Sequence, residues 1–567
     1  MAGNRFTFGV SGQRLGGCAE SKVSGDSDEG SVTAATAMTE TMTVADALRA
    51  VTDKRPDAPF LIFGDRVWSY AEAAIQARGL AVGLHNLGVE PGDRIAIDLP
   101  NWPEFIISAL AAAELGARIV PLNPGYTPRE LQYMLRNSEA SVAITAEQFG
   151  GVDYLQIFES FLVELPDLQY LVTVGEEDLW YDDRIYQFED LVASGRGREF
   201  EPVAVDPEAD SYAILYTPGT TGTPKGVVLT QANLLQTAAL TAEALGVGAG
   251  ELTLCSVPMY HIFGLSVLFT ALLSGSTLVL QERFDATEAL ELIERHGVSI
   301  VQGVPTMFVM QLRAAAAGEY DLSSLRSGIV AGAPVREHLA QDVRDRLTPG
   351  IEIAYGLTET SPTVSITRAD DPPAKRTQTV GRPLPGVEVV ILDENGEPLP
   401  TESVGELTVR GFNVMQGYFR QPSVTAAAMT PEGFLRTGDL AMMDAEGYLH
   451  IVGRLSDVII RGGYNVHPRE IEGLLHYHPA VEDAVVLGVP NEVLGELVCA
   501  CVLPVEGALI TADELKDHCR VSVTEYKVPD LILFMDEFPE VSDERARRVE
   551  LARVVRAKDA SSTKSES

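Results

Sequence analysis

The sequence predicts an α/β protein: a large N-terminal domain of several subdomains, followed by a small α+β domain. Three observations carry that prediction. Short apolar runs alternate with helix-like segments from Thr43 to Tyr355, the order expected of a mostly parallel sheet. After Gly381 the texture changes to short strands broken by Gly, Pro and Asp, which suggests a β-rich subdomain. Beyond Gly453 a smaller unit of helices and strands follows, and 567 residues are too many for one ordinary core.

Residues 1–41 are rich in Gly, Ser, Ala and Thr and are expected to form a disordered extension; Met38 and Met42 at its end offer alternative starts. Residues 93–99 place Ile95-Ala96-Ile97 between charged residues and predict a strand. A helix over 103–115, a strand over 118–122, a helix over 128–136 opened by Pro128, and a strand over 141–145 follow. The β-rich part is expected at 387–392, 405–410 and 448–452. In the last unit Pro468-Arg469-Glu470 opens a helix, strands are expected near 484–489 and 497–503, and Thr511 to Glu514 has capping-box spacing. The expected division is one domain over 42–455, a second over 456–557 and a disordered tail over 558–567.

Apolar residues make up 46% and charged residues 22%, as in soluble globular proteins. With 81 Asp and Glu against 43 Lys and Arg, the net charge of −38 opposes nucleic-acid and anionic-membrane binding. Cys18, Cys255, Cys499, Cys501 and Cys519 have neither zinc-site nor redox-motif spacing, so reduced thiols and a cytoplasmic location are expected. No run approaches the roughly 18 apolar residues of a membrane span, and no apolar signal core opens the chain.

The most informative stretch is Tyr216-Thr217-Pro218-Gly219-Thr220-Thr221-Gly222-Thr223-Pro224-Lys225-Gly226. Its glycines let backbone N–H groups approach an anion, its threonines add hydroxyl donors, and Lys225 adds a cation. Such a loop suits a polyphosphate, although its spacing is not that of a P-loop. It resembles the Thr/Ser/Gly-rich loop ending in Pro-Lys-Gly of the adenylate-forming superfamily: acyl-CoA synthetases, peptide-synthetase adenylation domains and luciferases. Pro218 stands where that family usually has Ser.

Further matches run from about Thr43 to Arg556. Tyr260-His261-Ile262-Phe263-Gly264 resembles the family's aromatic gate beside the acyl carboxylate. Gly332-Ala333-Pro334 and Tyr355-Gly356-Leu357-Thr358-Glu359 resemble its adenine-binding pair. The resemblance implies that Tyr355 lies against adenine, Thr358 touches phosphate and Glu359 holds Mg²⁺, a hard cation suited to carboxylate oxygen. Thr437-Gly438-Asp439 resembles the ribose motif, and Gly453-Arg454-Leu455-Ser456-Asp457 the hinge motif, with Arg454 near ribose or phosphate. Arg461-Gly462-Gly463-Tyr464-Asn465-Val466 resembles the segment lining the pantetheine tunnel of CoA. A turn would use the same Gly462 and Gly463. The implied fold is an AMP-binding domain over 42–455 and a mobile C-terminal domain that alternates between two faces.

In the family a carboxylate first attacks the α-phosphate of MgATP, and the CoA thiol then attacks the acyl-AMP. The first step draws on a Pro-Lys-x-x-Ser-Gly-Lys pattern whose last Lys bridges carboxylate and phosphate. Here the stretch reads Pro539-Glu540-Val541-Ser542-Asp543-Glu544-Arg545, and no Lys occurs between Lys527 and Lys558. Arg545 offers a planar fork in place of a compact ammonium. Asp543 and Glu544 add negative charge where a polyanion must be neutralised, at about 1 kcal/mol per contact in water and several times that in a semi-buried site. The expectation is thioesterification of a ready-made acyl-AMP, supplied by a separate adenylating partner. A complete ATP-dependent ligase in which Arg545 suffices, and a silent acyl- or nucleotide-binding protein, remain as alternatives.

The acid is expected to occupy a pocket drawn from Tyr260, Phe263, Gly303, Gly328 and Gly332. Glycine there would leave room for a bulky group, and would equally serve tight strand packing. A ligase without that Lys resembles those of actinobacterial diterpenoid-acid (platensimycin-type) pathways, which implies a bulky terpenoid acid. The sequence leaves the oligomeric state open.

Overall fold

A computed structural model of the chain describes residues 42–176, 182–198, 200, 203–217, 224–461, 464–491, 494–539 and 547–555. The segments expected to be disordered, 1–41 and 558–567, lie outside the described residues.

The expected strand–helix alternation is present. Strands Arg94–Asp98, Arg118–Pro121 and Val142–Ala146 are joined through helices Pro103–Leu115 and Pro128–Ser138 and pair in parallel. Pro sits in the first turn of both helices, where its missing N–H costs nothing. The helix Pro128–Ser138 also carries a full capping box between Thr127 and Glu130. These strands form the middle of an eight-stranded sheet. One edge of it is antiparallel: Ser211–Thr217, then Lys225–Thr230, then the two-residue strand Gly417–Tyr418.

A nine-stranded sheet lies beside it, with Leu252–Cys255, Thr277–Leu280, Ile300–Gly303, Ser327–Val330 and Ile351–Gly356 as its parallel core. Helices Gln231–Leu245 and Ile262–Ser274 pack on each other. Both are buried on nearly every face, as helices apolar all round must be.

The β-rich part is a four-stranded antiparallel sheet of Val387–Leu392, Gly405–Gly411, Leu435–Met443 and Leu449–Arg454. The third of these was not expected as a strand, because its centre reads Arg436-Thr437-Gly438-Asp439 and carries no apolar alternation. The last unit has its own core, including Ile459, Ile471, Leu475, Val498 and Leu515. Its sheet pairs Val481–Asn491 with Gly495–Pro504 along nearly their whole length, and helix Ala512–Arg520 starts on the expected Thr511–Glu514 box. The chain therefore folds as a large N-terminal domain of mixed sheets and a smaller C-terminal domain. The two touch through Arg313–Glu482 at 3.1 Å and Arg336–Asp483 at 2.8 Å.

Candidate active site

The antiparallel hairpin edge sets the geometry of the phosphate loop. Thr217 pairs directly with Lys225, so these two residues are the feet of the loop. Gly219, Thr220 and Thr221 lie between them, outside the described residues. A side chain at Gly226 would meet Ile214 Cγ2 at 2.8 Å, so glycine after the Lys is required by packing. The Thr217 hydroxyl is buried with no hydrogen-bond partner among the described residues. An orphaned hydroxyl at the root of a glycine-rich loop suits an anion bound above it.

Two of the predicted residues meet a third that the motifs do not single out. The Lys225 ammonium sits 4.1 Å from the centre of the Tyr418 ring. The Tyr418 hydroxyl donates to Glu359 Oε1 at 2.8 Å. Burial and the neighbouring Glu359 charge hold that hydroxyl protonated, far above its ordinary range. Glu359 and Thr358 form a short 3₁₀ turn, Thr358–Thr360, whose Glu359 carbonyl accepts from the Met415 N–H at 3.0 Å.

A second cluster joins residues far apart in sequence. The Tyr355 hydroxyl donates to Asp439 Oδ2 at 2.6 Å. Arg454 faces Asp439 in strand register and places Nε 3.2 Å from Oδ1. Burial and the Asp439 carboxylate push the Tyr355 hydroxyl well above its ordinary range, so it remains a donor. Asp439 is 4% exposed and holds both partners at once, an arrangement able to accept from a vicinal diol.

On the acyl side, His261 is exposed at the residue before helix Ile262–Ser274, without a side-chain capping bond, and its ring lies 5.0 Å from that of Tyr260. Phe263, Ala331 and Tyr355 pack against the same apolar cluster. Gly303 faces Met307 and Phe308, where a side chain would be tight at 3.3 Å. Gly332 has φ +83° and sits in the exposed Gly332-Ala333-Pro334 turn, a conformation that favours glycine. Gly328 departs from the pocket expectation. A side chain there would strike the Val301 carbonyl at 2.1 Å, so strand packing accounts for this glycine and it opens no space for an acid.

The family model of AMP-binding enzymes matches residues 48–419, and that of their C-terminal domain matches residues 470–544. The chain belongs to the AMP-binding enzymes. It is 35% identical to the putative acyl-CoA synthetase YngI of Bacillus subtilis over 90% of this chain and 96% of that one. It is 32% identical to the mitochondrial medium-chain acyl-CoA ligase ACSF2 of Mus musculus over 88% and 85%. Among solved structures it resembles ATP-bound MatB from Rhodopseudomonas palustris, with TM-score 0.81, 27% identity and coverage of 90% and 100%. It also resembles the anthranilate-CoA ligase AuaEII in complex with anthranoyl-AMP, with TM-score 0.82, 25% identity and coverage of 92% and 99%. These are the adenylate-forming acyl-CoA synthetases and ligases.

Among the described residues of this AMP-binding enzyme, no group of three or more His, Cys, Asp or Glu forms a protein-only metal cage. Mg²⁺ is commonly held by one or two carboxylates together with substrate phosphates and water. Glu359, with Oε2 not engaged by Tyr418, is the carboxylate suited to it. On the CoA side, Tyr464 is 58% exposed and stacks on Tyr526 at 4.6 Å, while Arg461 is tied to Asp530 at 2.5 Å. Gly462, Gly463 and Arg545 lie outside the described residues. No described helix is long and apolar enough to cross a membrane. Cys255, Cys499, Cys501 and Cys519 are buried.

Tyr418 is the residue that sequence reasoning missed. Its neighbours Gly417, Phe419 and Arg420 form no periodic pattern, and the pairing of Val227 with Tyr418 brings it beside the strand that starts at Lys225.

Proposed function

We propose that this AMP-binding enzyme forms the thioester of CoA from an acyl-AMP, and that its own adenylation step is weak or absent. The CoA thiolate attacks the acyl carbonyl carbon, the carbon–oxygen bond to phosphate breaks, and AMP leaves with the electron pair. Asp439, Tyr355 and Arg454 hold the AMP moiety, Lys225, Thr217 and Thr358 its phosphate side, and Tyr260, His261 and Phe263 border the acyl group. The segment around Gly462 and Gly463 admits pantetheine.

One observation carries the proposal. No Lys stands between Lys527 and Lys558, and the nearest described cations are already committed. Arg548 Nη2 is 2.6 Å from Glu472, and Arg547 is 3.4 Å from Asp483. Neither is free to bridge a substrate carboxylate and the α-phosphate, which leaves Arg545 flanked by Asp543 and Glu544. An acyl-AMP would then come from a separate adenylating enzyme, and a bulky acid such as a terpenoid is a candidate for it.

A complete ATP-dependent ligase is the second reading. It is favoured by the retained Glu359, a carboxylate suited to the Mg²⁺ of a pyrophosphate, a group that an acyl-AMP does not carry. Two parallel assays separate the readings: acid with ATP and CoA in one, synthetic acyl-AMP with CoA in the other. Turnover with acyl-AMP alone supports the divided reaction. Equal turnover in both sinks it, and turnover in neither points to a binding protein.

A further inference from the structure

Tyr418 stands between the two charged groups that a nucleotide polyphosphate would need. Its backbone is fixed on both sides: its own N–H donates to Thr425 Oγ1 at 2.8 Å, and the Phe419 N–H donates to the Gly226 carbonyl at 2.7 Å. The residue is 8% exposed. Its face carries the Lys225 ammonium at 4.1 Å from the ring centre, and its hydroxyl, at the ring edge, binds Glu359 Oε1 at 2.8 Å. The cation therefore rests on the π surface, where the ring quadrupole attracts it. The carboxylate has Oε1 engaged, and no partner of Oε2 stands among the described residues.

Lys225 and Glu359 form no ion pair here, although each is a short distance from the same side chain. The ring contacts both charged groups at once, the ammonium on its face and the carboxylate at its edge, at the root of the glycine-rich loop.

We infer that Tyr418 is a positioning residue of the nucleotide site: its ring holds Lys225 for the phosphates and its hydroxyl orients Glu359 for the phosphate-bound Mg²⁺. The inference rests on the reading of Lys225 and Glu359 as phosphate and metal ligands. It assigns Tyr418 no contact with the nucleotide itself.

The test is calorimetric titration of the full-length protein with α,β-methylene-ATP, a non-cleavable probe, with and without Mg²⁺. Tyr418→Phe keeps the ring and loses the hydroxyl. It is expected to bind the Mg²⁺-free probe within twofold of the parent while losing about tenfold of the gain that Mg²⁺ brings, the loss typical of one charge-assisted hydrogen bond. Tyr418→Leu, which also loses the π face, is expected to weaken Mg²⁺-free binding about tenfold. Circular dichroism melting reports whether each variant is folded. Should Tyr418→Leu fail to fold, the double variant Tyr418→Phe/Glu359→Gln decides: it is expected to bind no worse than Glu359→Gln alone. A parental Mg²⁺ gain in Tyr418→Phe overturns the hydroxyl role, and parental affinity in a folded Tyr418→Leu overturns the ring role. Glu359→Gln and Lys225→Ala run in parallel. If they bind as the parent does, the reading of the site falls and the inference with it. If they weaken binding while both Tyr418 variants do not, the inference alone falls.

Discussion

Asp483 offers a direct way to perturb how the two domains sit together. It lies on the C-terminal sheet and gathers three basic side chains from different parts of the chain. Arg336, just after the Gly332-Ala333-Pro334 turn, reaches it at 2.8 Å; His476 lies at 2.8 Å and Arg547 at 3.4 Å. Arg336 is also 2.6 Å from His476 Nε2, so removing the carboxylate leaves basic groups facing one another. The perturbation is Asp483→Asn, which keeps the shape and removes the charge. With Arg336 41% and Arg547 35% exposed in their side chains, each ion pair counts as a partly solvated one, about 0.2–1 kcal/mol. Only the Arg336 pair joins the two domains, since His476 and Arg547 belong to the C-terminal one, so the expected shift is about 1.4- to 5-fold in the ratio of this domain arrangement to others. The assay is distance measurement by paired spin labels, one on each domain, at low and high salt. Asp483→Asn is expected to reduce the population at the short distance, and 1 M salt to do the same to the parent, since it shortens the screening length to about 3 Å. Burial alone would raise the Asp483 carboxyl, but the His476 hydrogen bond and the Arg336 charge outweigh it and hold the group below the ordinary carboxylate range. Because that value is depressed in the docked form, the contribution is full above the ordinary range and is lost only as pH falls through the lowered value. Identical distance distributions in parent and variant at both salt concentrations would refute the argument.

Two further predictions concern single residues. Restoring Lys at position 545, as Arg545→Lys with Glu544→Gly, is expected to create or raise ATP–pyrophosphate exchange; a repaired variant no better than the parent would show that the missing Lys is not the cause. Asp98 is buried, with Thr145 as its hydrogen-bond partner at 3.4 Å and Oδ1 unpartnered, and burial pushes its carboxyl to about 7. The folded chain then holds a proton that the unfolded chain has released, so stability falls as pH rises from the ordinary range through about 7. Asp98→Asn is expected to flatten that fall and to stabilise the protein at pH 8 by about 4 kcal/mol at most, read from urea midpoints at pH 5 and 8.

The elements that the sequence makes legible are those whose signal is local. Pro128 in a first turn, the Thr511–Glu514 box and the apolar run Ile95-Ala96-Ile97 each specify structure within a few residues, and each reads correctly. The strand Leu435–Met443 is not legible, because it carries polar site residues in place of an alternating pattern. The partners of Asp439 give its fold away only in three dimensions: Tyr355 lies 84 positions earlier and Arg454 faces it across a strand pair.

The same contrast explains the site itself. The motifs mark the residues that meet a ligand, since loop glycines and charged side chains stand out from an apolar background. They leave unmarked the residues that hold those side chains in place. Tyr418 and Asp483 are ordinary residue types in unremarkable stretches, and each becomes informative through its charged neighbours. A ligand-facing Lys or Glu is defined by its chemistry, whereas a supporting residue is defined by where the chain puts it, and that is fixed by strand register. For this enzyme the distinction has a practical consequence. Under the proposed function, Arg545→Lys is expected to raise ATP–pyrophosphate exchange further when Asp483→Asn loosens the Arg336–Asp483 contact between the domains.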